Sequence, residues 1–173
     1  MSDTDSSRSD NSIAAFVALL VAALVFVYYT GGSMPKVVAS HFSGTGVATG
    51  FLPRATYVRI MLAIVLLPPI LLVYLPRRTL RSATARINLP NRDYWLAPER
   101  RAQTVEILLR QFARFAEMLL AFLCYTHYLV VRANELKPPR LSSGWFLAGL
   151  VIFLGFTVMW VIRLSARFRI EEQ

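Results

Sequence analysis

Cysteine is almost absent: Cys124 is the only one in 173 residues, so no intramolecular disulfide can form and a secreted disulfide scaffold is excluded. Histidine is nearly as scarce. His41 and His127 together supply at best half of a zinc shell, and no carboxylate or thiol stands at ligand spacing to complete it, so neither metal nor cofactor is expected. The chain also lacks a nucleophile with a spaced base and orienter, a phosphate-cradling glycine loop and a helix carrying HExxH. A non-enzymatic protein is therefore expected. Acidic residues are in deficit, 10 against 19 Lys and Arg, giving a formal charge of +9 and a pI near 10.4. In a soluble protein that surplus would suggest nucleic acid, but no stacking motif or groove-reading helix accompanies it, and no nucleic-acid partner is expected.

What is abundant is apolar residue. Hydrophobic types make up 55% of the chain and mean hydropathy is +0.48, too apolar for an ordinary soluble domain of this size. The apolar residues are massed in four blocks of about the length that crosses a bilayer. The expected fold is thus an all-α membrane protein: residues 1–11 as a disordered cytoplasmic tail, then a four-helix membrane domain over 12–169, then a short tail at 170–173. The spans fall at about 13–30, 57–75, 112–131 and 145–162.

The first block carries no charge. Asp3, Asp5 and Asp10 against Arg8, with no A-x-A pattern before Gly31-Gly32, favour a retained anchor over a cleaved signal peptide. In the second block Arg59 can snorkel outward, and Pro68-Pro69 remove two backbone donors, which predicts a kink. The third continues an amphipathic helix that begins near Pro98, with Glu99 at its positive dipole end. Gln103, Glu106, Arg110, Arg114 and Glu117 form its polar stripe. For helix packing, the small residues Ala14, Ala18 and Ala22 offer a seam on the first helix, and Gly144 and Ala148 a similar step on the fourth.

Counting Lys and Arg outside the spans sets the orientation. With a cytoplasmic N-terminus, that side holds Arg8, the seven central-loop arginines from Arg77 to Arg101, and Arg163, Arg167 and Arg169; the other side holds Lys36, Arg54, Arg132, Lys137 and Arg140. Eleven against five predicts that both termini are cytoplasmic. The arginine-rich central loop is then a partner for anionic headgroups of the lipid bilayer.

Two ionisable residues fall inside the third span. Glu117 sits about five residues into the block, where it can snorkel, pair with Arg114 or serve a functional site. It shares a face with Ala121, Cys124 and Tyr128. His127 lies about one turn from the external end, and His41 lies in the external first loop, so the two can meet; His41 is also a candidate pH sensor.

The first loop, Met34 to Arg54, has β-branched residues on either side of Ser43-Gly44-Thr45-Gly46 and predicts a small extracytoplasmic hairpin or compact loop. The central loop, Ile87 to Thr104, sets Tyr94 and Trp95 among arginines, a combination suited to the headgroup zone. Pro35, His41-Phe42, Gly46, Gly50 and Arg54 in the first loop, with Asn88, Pro90-Asn91, Tyr94-Trp95 and Pro98-Glu99-Arg100 in the second, resemble a bacterial family of membrane proteins of unknown function, a module related to the N-terminal part of the SdpI-type toxin-immunity proteins. The likeness spans roughly residues 13–130. Ala39, Ser43, Thr49 and Phe51 stand where such proteins often have proline, asparagine or aspartate, aspartate and tryptophan. The resemblance implies a non-enzymatic envelope sensor, immunity-like factor or accessory component of a bacterial inner membrane, whose outer loop meets a protein partner or a secreted peptide. The competing expectation is a small transporter or proton-linked protein that uses Glu117 and His127.

Overall fold

The computed structural model describes residues 3–82 and 87–169, with side chains from Ser12 onward. Arg86 of the central loop and the tail at 170–173 lie outside the described residues. The elements are α1 (Asp3–Gly32), β1 (Val37–Phe42), β2 (Ala48–Pro53), α2 (Arg54–Leu80), α3 (Arg92–Trp95), α4 (Pro98–Glu135) and α5 (Ser143–Arg167). Three helical segments are long and apolar enough to cross a membrane: Ser12–Gly32, Arg54–Leu80 and Ser143–Arg167. These coincide with the first, second and fourth expected spans. Helix α1 begins at Asp3, so its first turns overlap the stretch read as a tail.

Helix α4 is of a different kind. Pro98 stands at its first position and Glu99 in its first turn, the expected start, and it then runs unbroken for 38 residues with charges well into its length. It packs against α1, α2 and α5, and it contributes thirteen buried residues where α5 contributes none. The bundle is therefore organised round the least apolar long helix. Helix α2 stays helical through Pro68 and Pro69, and Pro69 is fully buried.

Two expected packing seams are replaced. Ala14, Ala18 and Ala22 are exposed; the buried stripe of α1 is Phe16, Leu20, Ala23 and Val27, which closes on Val65 of α2 and on Ala116 and Leu120 of α4. A helix apolar on every side carries no contrast to tell packed from lipid-facing positions, and here the larger side chains fill the interhelical space. Gly144 is exposed too, and the close approach of α5 comes at Gly149, where a Cβ would stand 2.2 Å from the Tyr125 ring. That ring's hydroxyl donates to the Trp145 carbonyl at 2.6 Å. Phe122 stacks on Phe153 at 4.6 Å, and Phe115 meets Trp160 at 4.9 Å, so α5 is held on α4 by aromatic pairs.

Between α1 and α2 the chain forms the expected hairpin. β1 and β2 pair antiparallel, from Val37 opposite Pro53 to Phe42 opposite Ala48, with irregular register around His41. Gly46 turns it at φ +82°, and a Cβ there would lie 2.0 Å from the Leu141 carbonyl oxygen, so glycine is required on both counts. The Leu141 amide donates to the Gly46 carbonyl at 2.9 Å, and Val47 bridges Arg140, which ties the turn to the chain entering α5.

The hairpin's other anchor is Asn134, near the end of α4 and buried. Its Oδ1 accepts from the Ala39 amide at 2.8 Å, and its Nδ2 donates to the Ala39 carbonyl at 3.0 Å and to the Val130 carbonyl at 2.9 Å. One carboxamide thus stands in for a third strand, satisfying backbone groups that β2 cannot reach. Asn134→Ala should leave both Ala39 groups without partners and weaken the hairpin's docking by about 1–3 kcal/mol. Amide hydrogen exchange is expected to speed up across residues 37–42 and to stay unchanged over Val105–Leu120.

Candidate functional site

The polar centre of the bundle lies at its hairpin end, where α1, α2 and α4 converge. His127 is fully buried. Its Nε2 lies 2.8 Å from Thr30 Oγ1 in the last turns of α1, and its Nδ1 lies 2.9 Å from the Tyr57 hydroxyl at the start of α2. Phe26 meets the imidazole edge-on at 5.6 Å, and the Tyr57 ring stacks on it at 5.8 Å.

The direction of each hydrogen bond follows from one fixed donor. The Thr30 hydroxyl donates to the Phe26 carbonyl at 2.6 Å, so its oxygen is left to accept from His127. In the neutral ring that places the proton on Nε2, and Nδ1 then accepts from the Tyr57 hydroxyl. The chain runs from Tyr57 through His127 and Thr30 to a backbone carbonyl, with each polar atom satisfied. Such a closed set holds three helices in register and leaves no unused donor or acceptor on the imidazole for a substrate.

The two histidines serve different places. His41 sits on the exposed hairpin with its Nδ1 3.1 Å from Ser40 Oγ and its ring over Gly50, where a Cβ would come within 3.1 Å of the His41 Cβ. The partners of His127 are Thr30 and Tyr57, not His41. Among the described residues no group of three His, Cys, Asp or Glu side chains is placed to hold a metal ion.

Glu117 is half-buried, within electrostatic reach of Arg114, and ten residues before His127 on the same helix. At about 1.5 Å per residue that is roughly 15 Å, so the two are not brought together as one relay. Cys124 packs half-buried against the core formed by α1, α2 and α4.

The two loop motifs lie at opposite ends of the bundle. In the first, Phe42 packs with Met34, Val38, Tyr57 and Val130, and Pro35 is exposed in the turn before β1. Arg54 donates to the carbonyls of Gly32 and Met34, both at 2.9 Å, closing the end of α1 onto the start of α2. In the second, Asn91 adopts a left-handed φ of +50° at the start of α3. Its Nδ2 donates to the Phe168 carbonyl at 3.1 Å, and the Trp95 indole donates to the same oxygen at 2.9 Å. Phe168 is buried against Trp95 and the apolar face of α4, so this motif latches the end of α5. Thr104 Oγ1 donates to the Trp95 carbonyl at 2.8 Å, and Arg100 lies 4.0 Å over the exposed Tyr94 ring. Asn88 and Pro90 are exposed.

No family model, curated protein or solved structure matches the chain. The site's chemistry therefore rests on its own geometry.

Sequence reasoning found His127, Trp95 and Asn91 but not their partners. Thr30 and Tyr57 close and open apolar spans, positions that read as interfacial, and only the folded bundle turns them inward. Asn134 carried a weak signal: it lies two turns beyond His127 on one face of α4.

Each end of the buried chain should be measurable. Tyr57→Phe removes the donor to Nδ1 and Thr30→Val the acceptor for Nε2–H, and each is expected to cost about 0.6–1.7 kcal/mol of bundle stability. Reversible unfolding in mixed micelles would measure it, with His41→Ala unchanged.

Proposed function

We propose that the protein is a non-enzymatic component of a bacterial inner membrane that binds an extended peptide segment of a secreted or envelope protein through its outer hairpin. The observation that carries this is the hairpin itself: it is fastened to the bundle at Asn134, Arg54 and Gly46, yet leaves an apolar face uncovered. Val37 is 61% exposed, Phe51 54% and Val47 51%, with His41 beside them. A floppy loop would lose binding energy to ordering, whereas a fixed one presents these residues preorganised. Val47, just before β2, bridges Arg140, and among the described residues β2 itself pairs with β1 and with no third strand. Backbone groups there suit an added strand.

In this reading α4 also crosses the bilayer, giving four spans. Support comes from levels along the bundle: Ser12 to Thr30 on α1 and Arg110 to His127 on α4 each cover about 26 Å, close to the hydrocarbon thickness. The excess of Lys and Arg at the end opposite the hairpin supports cytoplasmic termini. An immunity-like role of the SdpI type fits a hairpin exposed to a secreted peptide. A proton-linked transporter fits less well, since His127 is fully bonded and far along the helix from Glu117.

Two measurements test this. In a Cys124→Ser background, Ser43→Cys should react with a membrane-impermeant maleimide in intact cells, and Ser82→Cys only after permeabilisation. Phe51→Ala and His41→Ala should abolish crosslinking of envelope partners to a photoreactive group at Val37 without lowering protein abundance. Undiminished crosslinking, or labelling of Ser82→Cys from outside, would remove the basis of this reading.

A further inference from the structure

A second polar feature lies at the arginine-rich end, and the hairpin reading does not use it. A cavity of about 350 Å³ opens between α1, α4 and α5, lined by Ser12, Ile107, Arg110, Gln111, Arg114 and Arg167. Arg110 and Gln111 are adjacent on α4 with Arg114 one turn on, and Arg167 is the last residue of α5. Three guanidinium groups therefore border one small space. Among the described residues, the ion pairs are Arg81 with Glu106 and Arg132 with Glu135, and neither involves Arg110, Arg114 or Arg167. Glu117, one turn along α4 from Arg114, lies within electrostatic reach of that guanidinium. With Glu117 set against Arg114, the described lining keeps a net charge of two.

The cavity's depth matters as much as its charge. Ser12 opens one membrane-length apolar segment and Arg167 closes another, so the cavity sits where two spans end together. Lipid phosphates lie at that level. Beside it, α5 leaves an apolar surface on which acyl chains can lie, with Val158, Val161 and Ile162 all exposed.

From this placement we infer that the Arg110–Arg114–Arg167 cavity is a binding site for a net-anionic phosphate group, held by planar guanidinium donors from α4 and α5. Arginine suits such a group because its forked donors match phosphate oxygens in pairs. A zwitterionic headgroup carries its own cation and gains less. An anionic phospholipid headgroup and free phosphate share the chemistry, and the bound ligand would tie α5 to α4 at an end where Phe168 already anchors it.

Native mass spectrometry of the full-length protein in an uncharged detergent, titrated with phosphatidylglycerol or phosphatidylcholine, tests the site. The wild type should retain phosphatidylglycerol at about tenfold lower concentration or less, as two uncompensated cations near a headgroup imply. The R110Q/R114Q/R167Q variant should bind the two lipids within about twofold of each other, while K36Q/R59Q/K137Q, with the same loss of charge at the hairpin end, keeps the wild-type preference. Should the glutamine variant fail to fold, R110K/R114K/R167K retains the charge but not the fork, and its preference should drop by roughly threefold. Inorganic phosphate separates the sources: displacement of phosphatidylglycerol at millimolar phosphate identifies a site that also takes the free ion, and resistance to it identifies a headgroup site. Equal selectivity in wild type and in either cavity variant would overturn the inference, as would a wild type that prefers neither lipid.

Discussion

The arrangement of this bundle depends on burying an imidazole without leaving any of its polar atoms unpaired. Where three helices are apolar enough to lie in lipid, association gains nothing from hiding apolar surface, and shape and hydrogen bonds must supply the preference for one arrangement. His127 meets that need because it has two nitrogens on opposite sides of a flat ring. Tyr57 reaches one from α2 and Thr30 the other from α1. An unpaired nitrogen in such a place would cost several times what either bond contributes, so the set is held as much by what its loss exposes as by its own strength. The rotation of each helix about its axis is fixed by this one residue, and with it the stripe from Phe16 to Val27 that α1 turns inward.

Helix α4 carries this constraint to both ends. Two turns beyond His127, Asn134 fastens the hairpin by imitating a strand. At the other end the apolar face around Val105 and Leu108 receives Phe168, whose carbonyl is gripped by Asn91 and Trp95. The hairpin and the arginine-rich loop are thus fastened at opposite ends of one long helix. Helix α5 is different: it touches α4 alone among the long elements and buries no residue, so its outward face is left to lipid or to a partner.

Much of this was legible before any coordinates, for physical reasons that vary by element. Spans are readable because their length matches the bilayer, the hairpin because Ser43–Gly46 joins β-branched runs, and the start of α4 because Pro98 and Glu99 fit a helix N-terminus and little else. The packing faces were not readable. Helix α1 is apolar all round, and an alanine row that invites close approach lies on its outside while Phe16 and Leu20 fill the interior. The polar centre was half readable. His127 was visible as an ionisable residue within a span, but Thr30 and Tyr57 sit at span ends, where polar groups ordinarily face headgroups. Their inward turn is a tertiary fact.

The same contrast separates the two histidines: His41 stands exposed on the hairpin, available to a ligand, while His127 is used up in holding helices together. His127 is thus a structural junction with a defined proton arrangement. Nitrogen-15 NMR of histidine-labelled full-length protein in lipid nanodiscs reports that arrangement directly. A single His127 species protonated at Nε2 is expected, with an unprotonated Nδ1 whose shift changes on Tyr57→Phe. A proton on Nδ1, or a mixture of tautomers indifferent to Tyr57, would contradict it.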